Sequence, residues 1–208
     1  HANPCGVATS NSIKRAYTYS LACDPESAFG GVIALNDTLD AATAKEIAKT
    51  YVEVIIAPKI TLAAQKILAQ KKSVRVLQAE NFSNCNAAGL NFKSLSGGLL
   101  IQENDSKIVG KKIKTVTKRK PSKAEMSDLL FAFTVCKHVK SNAIVYAKNG
   151  VTVGIGAGQM SRVNSSRIAS WKAEDASITA GEKKSRAIGS VVASDAFFPF
   201  ADGLIAAA

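Results

Sequence analysis

Three short apolar runs, GVIALN, VIIAP and VRVLQ, alternate with segments of helical character in the first eighty residues. This alternation constrains the fold more than any other feature. Each run is too short for a helix; GVIALN and VIIAP read as buried strands and VRVLQ as a strand. SIKRAYTYSLA reads as a helix, with Ile13, Ala16, Tyr17 and Ser20 or Leu21 near one face. DPESAFGG is a turn, opened by Asp24-Pro25 and closed by Gly30-Gly31. Asp40 is placed to cap AATAKEIAKTYV, and TLAAQKILAQKK gives a further helix. Strands separated by helices imply an α/β fold with the sheet covered on both faces.

The pattern changes after residue 79. Residues 79–110 are rich in Asn, Ser and Gly and read as an irregular seam. It holds a short hairpin, with Glu103-Asn104-Asp105 as the turn between LLIQ and KIVG. A second unit opens at Pro121, where Ser122 and Glu125 have the spacing of a capping box. Met126, Leu129, Leu130, Phe133, Cys136 and Val139 follow as one apolar stripe at helical spacing, with His138 close to it as a structural residue. AIVYAK and VTVGIGAG read as strands joined by Asn149-Gly150, a strong hairpin signal. SRVNSSRIASWKA is helical, and SVVASDAFFPFADG is a strand running into an aromatic loop. The expected division is residues 1–116 and 117–208.

Composition excludes several classes. Of 208 residues 47% are hydrophobic, enough for a core, yet no apolar run approaches the length of a membrane span. The start shows no basic segment followed by an apolar one, so no signal peptide is expected. HANPC lacks Met and FADGLIAAA closes without a polar tail, which reads as a portion of a longer protein. Cys5, Cys23, Cys85 and Cys136 form no CxxC pair, and there are only two histidines. Buried thiols in a reducing, cytoplasmic compartment fit better than zinc or a disulfide framework. The net charge is +11. Its densest run, KKIKTVTKRK at 111–120, has no interleaved aromatic, so a solvated strand or loop is favoured over a nucleic-acid module. A small polyanionic ligand accounts for the charge equally well.

GIGAGQMSR, residues 154–162, raises the question of a nucleotide cofactor. The spacing is GxGxG rather than GxGxxG, the strand before it is a hairpin arm, and no Walker lysine follows. Two uses stay open. The unpaired N–H groups at the helix start, with Ser161 and Arg162, suit a phosphate or carboxylate. Alternatively the glycines serve the backbone alone.

HANPCGVA, DPESAFGGVIALN, EVIIAP, LLFAFTVCKHVKSNAIVYAKNGVTVGIGAGQMSR and SDAFFPFADG occur in this order. Together they resemble the formyltransferase domain of the bifunctional purine-biosynthesis family, in which phosphoribosylaminoimidazolecarboxamide formyltransferase is joined to inosine-monophosphate cyclohydrolase. The resemblance implies two cytidine-deaminase-like α/β/α subdomains without zinc, and a homodimer with active sites at its interface. It implies formyl transfer from 10-formyltetrahydrofolate to the 5-amine of aminoimidazole carboxamide ribonucleotide, with neither nucleic acid nor membrane as partner. His1 matches the base that takes the amine's proton, and Asn142 a residue that orients the formyl group and supports its oxyanion. Ser161 and Arg162 match nucleotide-binding positions. Phe29 matches an aromatic lining the site, Glu53 an acidic residue on the substrate amine or carboxamide, and Phe197 and Asp202 positions around base and folate. The resemblance also implies a lysine before His1 and a histidine beyond residue 208. Plainer readings stand beside these: a frayed terminus for His1, a turn for Asn142, core packing for Phe29 and Phe197, and a solvated carboxylate for Glu53.

Overall fold

The computed structural model describes residues 3–80, 89–110 and 113–208. The first half contains α1 (Ile13–Leu21), β1 (Gly31–Ala34), α2 (Ala41–Ile47), β2 (Val52–Ala57), α3 (Leu62–Leu68) and β3 (Arg75–Gln78). The strands form one parallel sheet in the order β1-β2-β3, as the alternation requires. Each helix opens on an oxygen-bearing cap, where Ser12, Asp40 and Thr61 accept the N–H of Arg15, Thr43 and Ala64. α2 stops at Ile47, sooner than its sequence suggests, because the chain turns at 48–50 to enter β2.

Helix residues Tyr17, Ala44, Ile47, Ala64 and Leu68 pack with Ile55 and Ala57, flanked by Ile33 and Val76. Ile33, Ile55 and Val76 are register partners, so they mark one face of the sheet. The opposite face is not covered by described residues in the way the sequence suggests. Val32 is 59% exposed and Leu77 50%. An unbroken apolar run is compatible with burial on both faces but does not supply the layer that covers the second.

β4 (Leu90–Leu95) and β5 (Gly98–Glu103) form an antiparallel hairpin, exposed along both strands. Its turn is Ser96-Gly97, not Glu103-Asn104-Asp105, and 104–110 contains no strand. Gly97 has φ +83°, which a two-residue turn needs and the acidic tripeptide would resist.

The second half contains α4 (Lys123–Cys136), β6 (Ile144–Lys148), β7 (Val151–Gly156), α5 (Arg162–Thr179), β8 (Val191–Ser194) and α6 (Ala201–Ala207). The antiparallel sheet runs β7-β6-β8. The capping box at Ser122 and Glu125 is formed. Asn149 (φ 55°) and Gly150 (φ 70°) make the hairpin turn, and Asp128 on α4 accepts both turn N–H groups at 2.8 and 2.7 Å. Alternation along β6 builds two cores. Val145 and Ala147 face α4, while Ile144 and Tyr146 face α5 and α6. This half is a three-layer α/β/α sandwich.

The buried face of α4 is Ala132, Val135 and Cys136, continued by Val139, whereas Phe133 is 45% exposed. LLFAFTV is apolar all round, so periodicity alone does not single out the inward face. His138 is exposed rather than packed.

The glycines of GIGAG are used by the backbone. A Cβ on Gly154 would lie 2.1 Å from the Ala169 carbonyl oxygen, and one on Gly156 1.9 Å from that of Ser165. α5 answers with a small-residue face of Ser165, Ser166, Ala169, Ala173, Ala176 and Ser177, so helix and strand pack backbone to backbone.

The halves meet through residues 3–9. Thr9 N–H donates to Gly150 O and Thr152 N–H to Val7 O, both at 2.9 Å, extending the sheet past β7. Lys172 on α5 pairs with Asp24 at 3.2 Å, and Arg186 donates to Ala22 O.

Candidate functional site

Sheet register gathers distant residues at one edge. Ile144 pairs with Gly156 on one side and Ser194 on the other. The start of β6 and the ends of β7 and β8 therefore coincide. Asn142 precedes β6, Ser161 and Arg162 follow β7, and Asp195 follows β8.

The loops are closed by main-chain bonds. Gly158 N–H donates to Lys140 O at 2.8 Å, and Asn142 N–H to Gln159 O at 3.2 Å. Asn142 Nδ2 donates to the same Gln159 oxygen at 2.8 Å, and Ser165 Oγ donates to Asn142 O at 2.7 Å. The Ser141–Asn142 peptide bond is cis. Lys140 N–H donates to Asn3 Oδ1 at 2.6 Å, which brings the Asn-Pro motif to this edge. His1 lies outside the described residues, as does Cys85.

Ser161 is the N-cap of α5, its hydroxyl accepting Asn164 N–H at 3.2 Å. Arg162 is the helix's first residue, and its guanidinium is held from three sides. One terminal nitrogen donates to Asn142 Oδ1 and the other to Asp195 Oδ1 at 3.1 Å, while Nε reaches Ser194 Oγ at 3.2 Å and Ala196 O at 3.3 Å. Each terminal nitrogen carries two hydrogens, so one N–H on each remains beyond these bonds, as does one on Asn142 Nδ2. The edge can therefore present donors to an anion or a developing oxyanion without losing its own bonds.

Asp195 is the acceptor that sequence reasoning missed. It also takes Ala143 N–H at 3.0 Å. Burial pushes its carboxyl up, but Ser141, Ala143 and Arg162 outweigh this and hold it below the usual aspartate value. The available signal is an acidic residue directly after a short apolar strand, at the sheet edge where Asn142 and Arg162 lie. Cys136 sits beneath, 1% exposed. Burial and then the Asp195 charge push its thiol up to about 12 against the opposing pull of Arg162, so it is no nucleophile at neutral pH.

Phe197 and Phe200 project from the loop after Asp195, 80% and 73% exposed, so Phe197 is not core packing. Asp202 lies exposed in the first turn of α6, its carboxylate accepting Gly203 N–H. The first-half residues form a separate group. Phe29 is 74% exposed, with its ring 5.1 Å from that of Tyr51. Glu53 stands two residues on, near Gly30, where β1 and β2 begin. Among the described residues no hydrogen bond or ion pair joins Phe29 or Glu53 to Asn142, Ser161 or Arg162. Nor do the described residues include a group of three His, Cys, Asp or Glu arranged around a metal ion, or a helix long and apolar enough to cross a membrane.

The AICARFT/IMPCHase bienzyme family profile matches residues 1–172. Relatives include bifunctional purine biosynthesis proteins PurH from Parvibaculum lavamentivorans, 59% identical over 209 aligned residues, and Mesorhizobium japonicum, 60% identical over 208. That of Brucella ovis is 59% identical. Each match covers the whole of this chain but only 39% of the relative. The chain belongs to the AICARFT/IMPCHase bienzyme family.

Proposed function

We propose that this chain is the formyl-transfer portion of a cytoplasmic purine-biosynthesis enzyme. Its two halves, 1–116 and 117–208, are the cytidine-deaminase-like subdomains. In the reaction, the 5-amine of aminoimidazole carboxamide ribonucleotide attacks the formyl carbon of 10-formyltetrahydrofolate. The carbonyl oxygen takes up charge, then the bond to N10 breaks as the carbonyl reforms. The amine gives up one proton and N10 takes up one. The cyclohydrolase step that closes the product to inosine monophosphate belongs to the other activity in the family's name.

In this reading His1 is the base and Asn142 directs its remaining Nδ2–H to the formyl oxygen. Ser161 and Arg162 anchor the nucleotide. Phe197 offers a flat apolar face to the base or the folate ring, with Asp202 nearby, while Phe29 and Glu53 line the site from the first half. The working unit is a homodimer. The observation that carries the reading is the convergence of Asn142, Ser161 and Arg162 on one sheet edge in a chain of this family. The positive charge of +11 complements a phosphate and the folate's glutamate.

Calorimetric titration with aminoimidazole carboxamide ribonucleotide tests it. Binding is expected, and Arg162→Ala is expected to weaken it by about ten- to a hundredfold, the range for a charged hydrogen bond. Unchanged affinity in Arg162→Ala would remove the anchor assignment. No binding by a chain folded by circular dichroism would overturn the proposal that this portion holds the nucleotide.

A further inference from the structure

We infer that Asp195 is the positioning residue of this site, a single carboxylate that sets Asn142 and Arg162 in register with each other. The inference deepens the formyl-transfer reading and rests on it for the identity of the ligand, but not for the geometry.

Asn142 and Arg162 come from different segments, a loop and a helix start twenty residues apart. Each has rotatable bonds that an exposed edge would leave free. Asp195 restrains both, Arg162 by direct contact and Asn142 through the neighbouring backbone and through Arg162. It receives the N–H of Ala143, the residue after Asn142, at 3.0 Å. The same Oδ1 receives the Arg162 guanidinium at 3.1 Å. Ser194 and Ala196, its chain neighbours, take Arg162 Nε, so the strand end presents three acceptors to one cation. The side chains of Asp195 and Arg162 are only 20% and 13% exposed, which limits solvent screening of the pair. Carboxylate geometry suits the task, because one oxygen accepts several donors at once and a neutral amide accepts fewer while adding donors of its own.

Asp195→Asn keeps the volume and removes the charge. Both donors to its Oδ1 then meet a neutral amide, and Arg162 loses its counter-ion. In solution NMR, the Arg162 Nε–H and Asn142 Nδ2–H resonances are expected to shift and to exchange faster with water in Asp195→Asn. In nucleotide titration the affinity is expected to fall about tenfold, a typical cost of a charged hydrogen bond. Because Asp195 acts in part through Arg162, the losses should not multiply: Asp195→Asn with Arg162→Ala should bind more tightly than the product of the two single losses allows. A merely structural role would give multiplied losses and a thermal midpoint falling in step with affinity. Ser194→Ala, which removes one acceptor of Nε, should give the same two changes in smaller measure and serves if Asp195→Asn does not fold.

Unmoved Arg162 and Asn142 resonances, or multiplied losses in the double variant, would overturn the inference. Resonances that move in Asp195→Asn while the wild-type chain binds no nucleotide would uphold the positioning role and sink the formyl-transfer reading of this portion.

Discussion

Two buried cysteines make the residue scale measurable. Cys23 and Cys136 are each 1% exposed, and burial pushes both thiols up to about 12. At Cys23 a hydrogen bond with Thr152 opposes this and Asp24 adds to it. In the unfolded chain each returns to its ordinary value of 9.0. Between those limits the unfolded state holds fewer protons than the folded one. Stability is therefore full below pH 9 and declines above it, by about 1.4 kcal/mol per pH unit for each thiol. Urea midpoints measured at pH 8 and pH 10 should show this decline, and Cys23→Ala should make it shallower. An equal slope in the variant would mean the thiol ionises in the folded state. Iodoacetamide at pH 8 should leave both cysteines unmodified until the chain unfolds. The roles of these thiols were readable from sequence only as a preference for burial. Asn142 and Arg162 were legible as candidates through long motifs. Asp195 was not, because its importance comes from sheet register, which joins positions 142, 162 and 195 without any local spacing rule.

Elements raise a different question, namely what a glycine is for. GIGAG looks like a phosphate loop, yet Gly154 and Gly156 face α5 with no room for a methyl group. Gly156→Ala would place a Cβ 1.9 Å from a helix carbonyl oxygen, and both partners are backbone, so neither yields cheaply. The expected cost is about 3 kcal/mol, the upper end for overpacking a core. Gly98→Ala in β5 meets nothing within 4 Å and should change stability by less than about 0.5 kcal/mol. Denaturant midpoints of the two variants decide the matter, and equal costs would refute the close-packing account. The same contrast explains what was legible at this scale. The capping box of α4 and the Asn149-Gly150 turn are local rules, and both are formed. The hairpin turns at Ser96-Gly97 rather than at the acidic tripeptide, and serine-glycine is itself a turn signal. The inward face of α4 is Ala132, Val135 and Cys136 rather than the stripe through Phe133, because apolar residues lie on every side of this helix. Propensity names an element, and only a partner surface chooses its face.

At the scale of the whole molecule, the halves are held by few contacts of a specific kind. Residues 3–9 belong to the first half in sequence, yet Val7 packs with the core beside α4 and the segment extends the second sheet. Gly6 is pressed against α1, where a Cβ would lie 1.9 Å from Ser20 O, so this segment is fixed to both halves. Another tie is Lys172, whose ammonium lies 3.2 Å from Asp24 and 3.4 Å from Glu26. Their exposures divide the labour. Asp24 is 12% exposed and Glu26 86%, so the pair with Asp24 carries the effect and that with Glu26 adds little. Lys172→Ala leaves a largely buried carboxylate without its cation and should cost about 2 kcal/mol, less than a fully buried pair would because both groups keep some solvent. The loss should be local to the joint. Hydrogen exchange at Thr9 and Thr152, whose amides bridge the halves, should quicken about tenfold or more. Amides of β6, inside the second sandwich, should keep their rates. If every amide accelerates by the same factor, the two halves unfold as one cooperative body. The joint would then be part of a single core rather than a tie between two.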